Sequence, residues 1–471
     1  MKCTGALLAL LLVSGGALAA PPSERVLELP RFGQVTLYGD AAIPAHVAIF
    51  VSGDGGWKLG VVDMARALAV ERTLVAGVDI TRYLGALGKS HEACSDFAVD
   101  FEALSQSLQK QLALPSYEAP VLVGYSSGAT LVYATQVQAP PNTFRGAISL
   151  GFCPDLPLPK PPCRRGGLQF ESPRPGKPFV FAPAGGLESP WIALQGEIDQ
   201  VCDSTRTEAF VKQVGRAEIV RLPKVGHGFS VPARSVPQLR ASFERLAGDP
   251  SLIGGRRLER GAAPEVSDLP LIELPPSTPS GDLLAIVISG DGGWSGLDRE
   301  LAGVLAARGI AVVGLDSLRY FWTRRTPDEA GKALERILEH YLRAWQRERV
   351  VLIGYSRGAD VLPFMASRLP PQLGTRVALV ALLGPGREAS FEFHLADWLV
   401  STARPEARPI LPEIQKLHDR RMLCVYGAQE KDSLCTELPS GAAILEERPG
   451  GHHFGGDYQV IADRILEQAG I

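Results

Sequence analysis

Two serines of this chain each occupy the centre of a Gly-x-Ser-x-Gly motif. Residues 124–128 read GYSSG and residues 354–358 read GYSRG, and a short apolar segment precedes each copy. Between a strand and a helix, this motif forms a sharp turn that lifts the serine hydroxyl clear of the backbone. The two motifs therefore predict two serine nucleophiles for acyl transfer.

An acid and a histidine follow each serine in the order that a catalytic triad can use. Each serine would attack, its histidine would serve as general base and then general acid, and the acid would orient the imidazole. The predicted catalytic residues are Ser126, Asp199 and His227 in the first copy, and Ser356, Asp432 and His452 in the second.

Two of these assignments have rivals close by in the sequence. Glu430 is the rival acid and His453 is the rival base. The repeat favours Asp432, because it stands three residues before a cysteine, as Asp199 does in the first copy. A shared His-x-Phe pattern favours His452.

The hexapeptide SGDGGW occurs at residues 52–57 and again at residues 289–294. A serine hydrolase places one backbone donor of its oxyanion hole in such an early loop, and the N–H after the nucleophile supplies the other. A phosphate-binding loop would need a following Gly-Lys-Ser/Thr, which neither copy has. The predicted oxyanion or substrate-binding residues are Gly53, Asp54 and Ser127 in the first copy, and Gly290, Asp291, Gly292 and Arg357 in the second.

The aspartate inside each hexapeptide needs its own explanation. A carboxylate beside an oxyanion hole opposes an anionic intermediate unless it faces a cation. We therefore expect Asp291 to receive an ammonium group of the substrate. The alternative is a turn aspartate that bonds its own backbone.

The apolar segments indicate an α/β fold. Short, uniformly apolar runs such as residues 47–51 and 285–288 suit strands buried in a parallel sheet, and helical segments alternate with them. The tetrapeptides LELP at 27–30 and IELP at 272–275 predict matching entry strands. The repeated motifs thus predict two tandem α/β-hydrolase domains, each with a mostly parallel, doubly wound sheet.

The composition sets the domain boundaries and the compartment. Residues 20–247 and 268–471 form the two predicted domains, and residues 248–267, rich in Gly, Arg and Pro, form the linker. Residues 1–19 have the pattern of a cleaved secretory signal, which predicts a periplasmic protein. The formal charge of −3 gives no support to nucleic-acid binding.

Six cysteines follow the predicted signal, and an even number in an exported protein favours disulfides over metal binding. Cys424–Cys435 would brace the loop of the second acid. For the first half we predict Cys153–Cys163 and Cys94–Cys202, one of three connectivities that four cysteines allow. Neither a metal nor an organic cofactor is expected, because the triad chemistry needs none.

The second half resembles the AcvB/VirJ family of exported bacterial proteins. The segments that carry the resemblance are residues 289–294, 313–322, 354–364, 391–394 and 451–454. The first half resembles the family less, since Thr130 replaces Asp360 and Tyr133-Ala134 replace Pro363-Phe364.

The resemblance implies a periplasmic serine hydrolase that removes the lysyl or alanyl group from aminoacylated phosphatidylglycerol at the membrane surface. Aromatic residues within 391–399 would line an acyl-chain groove or touch the membrane, or alternatively pack against the core. The rival functions are a general periplasmic carboxylesterase and a non-enzymatic accessory factor for the secretion of virulence proteins.

Overall fold

The structure is a computed structural model that describes residues 24–39, 43–69, 72–171, 177–248, 256–257, 265–276, 281–394 and 406–471. The predicted signal at 1–19 and most of the predicted linker lie outside the described residues, as do residues 395–399 of the aromatic segment. No helix in the described ranges has the length and apolarity that a bilayer crossing requires.

Within its described residues, the first half contains eleven strands and six helices. The strands are β1 (Glu24–Leu29), β2 (Gly33–Tyr38), β3 (His46–Val51), β4 (Thr73–Val78), β5 (Val121–Tyr125), β6 (Gly146–Leu150), β7 (Asp155–Leu156), β8 (Phe170–Glu171), β9 (Phe179–Phe181), β10 (Trp191–Gly196) and β11 (Ala217–Leu222). The helices are α1 (Gly60–Leu68), α2 (Ile80–Lys89), α3 (Phe97–Gln111), α4 (Ser127–Gln138), α5 (Ser204–Val211) and α6 (Pro232–Gly248).

The second half repeats this alternation within its described residues. Its strands are β12 (Arg256–Arg257), β13 (Leu271–Leu274), β14 (Leu283–Ile288), β15 (Ala311–Leu315), β16 (Arg349–Tyr355), β17 (Val377–Leu383), β18 (Glu388–Ala389), β19 (Arg408–Pro409), β20 (Met422–Gly427) and β21 (Ile444–Arg448). Its helices are α7 (Gly296–Ala307), α8 (Ser317–Tyr320), α9 (Pro327–Ala344), α10 (Arg357–Ala366), α11 (Pro371–Gly374), α12 (Leu411–Gln415) and α13 (Tyr458–Ala469).

Each half builds an eight-stranded sheet with the same topology. The first has the order β1-β2-β4-β3-β5-β6-β10-β11 and the second the order β12-β13-β15-β14-β16-β17-β20-β21. Along the sheet order just given, the strands from β4 to β11 and from β15 to β21 pair in parallel. The first two strands of each sheet, β1 and β2 or β12 and β13, pair antiparallel with their neighbours. This confirms the expected α/β fold with two tandem, mostly parallel sheets.

The proposed match between the entry strands is wrong by one strand. Residues 27–29 belong to β1, the edge strand of the first sheet, whereas residues 272–274 belong to β13, which occupies the place of β2. Both strands border an antiparallel pairing, so both show the same short apolar pattern. A four-residue pattern of this kind does not distinguish an edge strand from its neighbour.

Buried side chains cover both faces of each sheet, as expected for parallel strands between helices. A smaller apolar cluster joins the two halves and consists of Tyr117 from the first and Leu318, Trp322 and Phe393 from the second. The indole of Trp322 stacks on Phe393 and donates a hydrogen bond to the carbonyl of Leu114 at 2.6 Å. The two domains therefore share a packed contact.

Three disulfides join cysteines of the described residues. Cys424–Cys435 confirms the prediction for the second half. The predicted pairs of the first half are wrong, because the structure joins Cys94 to Cys163 and Cys153 to Cys202. Backbone hydrogen bonds between the segments around Ser95 and Cys163 bring the first pair together, a contact that spacing along the chain does not reveal.

Candidate active sites

Both predicted nucleophiles lie at sharp turns between a parallel strand and a helix. Ser126, between β5 and α4, has a φ of 56°, and Ser356, between β16 and α10, has a φ of 53°. Such values strain a residue with a side chain and are typical of functional turns. A Cβ at Gly358 would lie 2.0 Å from the carbonyl oxygen of Ile288, so only glycine fits beside this turn. Both motifs thus form nucleophile elbows.

The first domain brings its three predicted residues together. Ser126 Oγ lies 3.0 Å from Nε2 of His227, and Nδ1 of His227 lies 2.9 Å from Oδ2 of Asp199. The Asp199 side chain also accepts hydrogen bonds from the N–H groups of Val201 and Cys202, each at 2.9 Å. The acid is thereby fixed in position to orient the imidazole.

The second domain assembles a different acid and histidine pair. Nδ1 of His452 lies 2.5 Å from Oε1 of Glu430, and Oε2 of the same side chain accepts a hydrogen bond from the N–H of Gly427 at 2.6 Å. Among the described residues, Ser356 Oγ forms no hydrogen bond with His452. Catalytic hydrogen bonds are often long before a substrate binds, so this arrangement remains compatible with a triad.

Asp432, the predicted acid of the second domain, does not contact His452. Its side chain is 89% exposed and pairs with Arg387 at 3.2 Å. Glu430 occupies the place that the prediction gave to Asp432. His453 instead lies 3.2 Å from the hydroxyl of Tyr355, so the choice of His452 over His453 agrees with the geometry.

Each of the two histidines packs against a glycine that the sequence analysis missed. Gly151 follows β6 with a φ of 65°, and Gly384 follows β17 with a φ of 62°. A Cβ at Gly384 would lie 2.7 Å from Cε1 of His452, and one at Gly151 would lie 3.1 Å from Nδ1 of His227. The available signal was a glycine directly after the same strand in both copies.

The SGDGGW loops lie against the nucleophiles. A Cβ at Gly53 would lie 3.0 Å from Cβ of Ser126, and one at Gly290 would lie 3.5 Å from Cβ of Ser356. The N–H of Gly290, a predicted oxyanion donor, instead donates to Oδ2 of Asp298 at 3.2 Å. This hydrogen bond occupies the N–H of Gly290, so that group is not available to an oxyanion.

The predicted donors after each nucleophile are the first residues of their helices. Ser127 begins α4 and Arg357 begins α10. N–H groups at such positions have no acceptor within the helix, so they are suited to an oxyanion. The Arg357 guanidinium is buried and donates to the carbonyls of Ser390 and Glu392.

Carboxylates surround the second nucleophile. Burial alone would lower the pKa of His452, but Glu430, Asp291 and Asp360 together raise it above its ordinary value. Burial raises the pKa of Asp360 to about 7, despite a hydrogen bond from the N–H of Gly386 and the charge of Arg357. Asp291 is half-buried in this group.

The surroundings of the first nucleophile are less acidic and more apolar. Ser126 opens into a cavity of about 300 Å³ that is also lined by Leu59, whose side chain is 80% exposed. Ile198 and Val201, on either side of Asp199, are also exposed. Asp54, the counterpart of Asp291, is exposed and also lines this cavity.

Asp199, Cys202 and His227 form the single grouping of metal-ligand side chains within the described ranges. The sulfur of Cys202 is bonded to Cys153, and Asp199 and His227 bond each other. These residues therefore have structural and catalytic partners already, and we assign them no metal.

The comparison with protein families identifies the chain. The model of VirJ, described as a bacterial virulence protein, matches residues 45–149 and 282–470, which together make up more than half of the chain. The chain belongs to the VirJ family. The matched segments include both nucleophiles and both SGDGGW loops but exclude Asp199 and His227.

Solved structures of serine hydrolases resemble about half of the chain. An esterase domain from Rhodothermus marinus has 14% identity and a TM-score of 0.33 and covers 48% of this chain and 98% of its own. A dienelactone hydrolase from Klebsiella pneumoniae has 15% identity and a TM-score of 0.35 with the same coverages.

An α/β serine hydrolase without a lid from Xanthomonas campestris has 16% identity and a TM-score of 0.30, and covers 50% of this chain and 97% of its own. A search of curated proteins gave no match.

Proposed function

We propose that the protein is a periplasmic serine hydrolase that cleaves the aminoacyl ester of aminoacylated phosphatidylglycerol, with Ser356, His452 and Glu430 as its catalytic residues. The observation that carries this proposal is the placement of Asp291 and Asp360 close enough to His452 to raise its pKa. An aminoacyl ester carries an ammonium group next to its carbonyl, and carboxylates at this position stabilise such a cation. Three disulfides suit an exported protein.

The reaction begins when Ser356 Oγ attacks the ester carbonyl and passes its proton to Nε2 of His452. N–H groups of Arg357 and of the loop at Asp291 stabilise the oxyanion. The ester C–O bond breaks, and the lipid oxygen takes the proton from His452 as phosphatidylglycerol leaves. Water then attacks the acyl-enzyme and gives a proton to His452. The bond to Ser356 Oγ breaks, Oγ takes this proton from His452, and the free amino acid leaves. Glu430 accepts the hydrogen bond of the Nδ1–H group throughout.

The test is the release of amino acid from vesicles that contain lysyl- or alanyl-phosphatidylglycerol. Wild type is compared with Ser356→Ala and with Ser126→Ala, its matched counterpart in the first domain. We expect Ser356→Ala to abolish release and Ser126→Ala to retain it. Full release by folded Ser356→Ala would contradict the assignment, and no release by wild type would contradict the substrate.

A second function, hydrolysis of uncharged esters, is favoured by the first domain. Its triad is joined by hydrogen bonds of 3.0 Å and 2.9 Å, and exposed aliphatic side chains such as Leu59 stand at the rim. We expect p-nitrophenyl butyrate to be hydrolysed by Ser356→Ala but not by Ser126→Ala. An accessory role without catalysis predicts that neither serine is labelled by a fluorophosphonate.

A further inference from the structure

The first domain lies directly against the oxyanion loop of the second domain. Asn142 donates from Nδ2 to the carbonyl of Trp294 at 3.2 Å. A Cβ placed on Gly292 would lie 3.6 Å from Oε1 of Glu102, which belongs to α3 of the first domain. A side chain of one domain therefore reaches the catalytic loop of the other.

Glu102 is a buried carboxyl group that forms no ion pair within the described residues. Its side chain is buried, and among the described residues its one hydrogen bond comes from Nε2 of Gln106 at 3.4 Å. The charge of Arg165 lowers the pKa of Glu102 from a distance, but this guanidinium forms its ion pair with Asp96, at 2.6 Å. Burial, followed by the nearby charge of Asp291, raises the pKa of Glu102 to about 8. A carboxylate in such a place is costly unless a cation joins it.

A cavity of about 40 Å³ lies at this carboxyl group. Glu102, Tyr117 and Asn142 line it from the first domain, and Gly292, Trp294 and the ion pair of Arg319 with Asp316 line it from the second. The Nε1 group of Trp294 is buried and has no hydrogen-bond partner among the described residues. The volume suffices for a group about as large as a water molecule, such as a primary ammonium.

The SGDGGW loop of the second domain lies between Ser356 and Glu102. Gly290, at one end of the turn, packs on Ser356, and Gly292, at the other end, packs on Glu102. Asp291 stands between them. The α-ammonium of an aminoacyl ester is adjacent to the carbonyl and suits Asp291, whereas a group at Glu102 must be separated from the carbonyl by a chain of several bonds.

We propose that Glu102 of the first domain is a specificity-determining residue of the second domain's catalytic site, where it receives the distal ammonium of a lysyl ester. This inference rests on the proposed function. It makes the enzyme prefer lysyl over alanyl esters, because an alanyl group has no second cation to place beside Glu102. The first domain thus supplies part of the substrate-binding site of the second.

The test compares Glu102→Gln with wild type in the full-length protein, using vesicles of lysyl- and of alanyl-phosphatidylglycerol. Loss of a charged hydrogen bond typically lowers kcat/KM about tenfold or more. We expect that loss for the lysyl lipid and a change within about twofold for the alanyl lipid. Glu102→Asp keeps the charge and should retain part of the preference.

The matched control is Glu188→Gln, which removes another carboxylate of the domain contact, paired with Arg299 at 2.6 Å and not part of the cavity at Glu102. It should leave both rates unchanged. An equal loss with both lipids in Glu102→Gln overturns the inference and reveals a merely structural role. An unchanged ratio also overturns it, although the proposed function would stand. The proposed function itself fails separately, when wild type releases neither amino acid.

Discussion

The two catalytic centres differ mainly in how their acids are held and in what surrounds the serines. In the first, Asp199 accepts hydrogen bonds from backbone N–H groups of its own loop, and the exposed side chain of Leu59 lines the cavity at Ser126. In the second, Glu430 reaches His452 from a longer side chain, and Asp291 and Asp360 lie nearby. One duplicated fold therefore supports two electrostatic environments, and we propose a cationic ester as the substrate of the second.

The disulfides differ in the same way. Cys202 ties the loop of Asp199 to Cys153, beyond the neighbouring strand β6, with a sequence separation of 49. Cys435 instead closes the loop of Glu430 back onto Cys424 in its own strand β20, with a separation of 11. The first acid is thus held by a long-range crosslink and the second by a local one.

The largest expected effect comes from the acid of the second centre. Glu430→Gln replaces the charged acceptor of the hydrogen bond from Nδ1 of His452 with a neutral amide. We therefore expect kcat for the aminoacyl lipid to fall by about 10²- to 10⁴-fold. Asp432→Asn is the matched control and should change kcat by less than about twofold, because the residue is exposed. Steady-state kinetics checks both, and the reverse order would restore Asp432 as the acid.

Removal of each disulfide is expected to lower the stability of its own domain by a different amount. A disulfide removes conformational entropy from the unfolded chain. This contributes about 4 kcal/mol to the free energy of unfolding for the loop closed by Cys153–Cys202 and about 3 kcal/mol for the loop closed by Cys424–Cys435. Cys153→Ser/Cys202→Ser should therefore lower Tm more than Cys424→Ser/Cys435→Ser. Calorimetry measures Tm, and assays with a neutral ester and with the aminoacyl lipid report on the two domains separately. If both variants lost both activities equally, the disulfides would not act on their own domains alone.

The pH profile sharpens the electrostatic difference. Only the neutral imidazole accepts a proton, and the pKa of His452 lies above its ordinary value of 6.5. Activity on the aminoacyl lipid should therefore be lost as pH falls through a value above 6.5. The Asp291→Asn variant should move this acid limb to lower pH, because it removes a carboxylate that stabilises the imidazolium. A limb that stays in place would show that Asp291 does not act on His452.

The smallest effect concerns the rim of the first centre. Leu59→Ser removes an exposed aliphatic side chain from the cavity of Ser126, so KM for a hydrophobic ester should rise about three- to tenfold with kcat unchanged. Val26→Ser is a control, since Val26 is also exposed but lies on edge strand β1. Equal effects in the two variants would argue against a substrate-binding role for the rim.

The sequence was sufficient to predict both sheets and both nucleophile elbows, because buried parallel strands and Gly-x-Ser-x-Gly turns have local signatures. The sequence ranked Glu430 only as the rival acid of the second domain, for a specific reason. Counting back from Cys202 and Cys435 assumes equivalent anchors, but these cysteines bond to different parts of the fold. Cysteines that look alike in two copies therefore do not define the same register.

Features that depend on packing between distant segments could not be predicted. The pairing of Cys94 with Cys163 depends on where the insertion after β6 folds back. The proximity of Glu102 to Gly292 depends on how the domains meet, and no pattern within α3 indicates it. Glutamate in the middle of a helix ordinarily predicts a solvent-exposed position.

The contact of Trp322 has a consequence for biosynthesis. Only 2% of its surface is exposed, because Tyr117 and Leu114 of the first domain cover it. A second domain made alone would present this indole and its apolar neighbours to water, which favours aggregation. Because the first domain leads the chain, it emerges and folds first, and Trp322 follows it. The order of the two copies thus gives the later one a complementary surface from the moment it begins to fold.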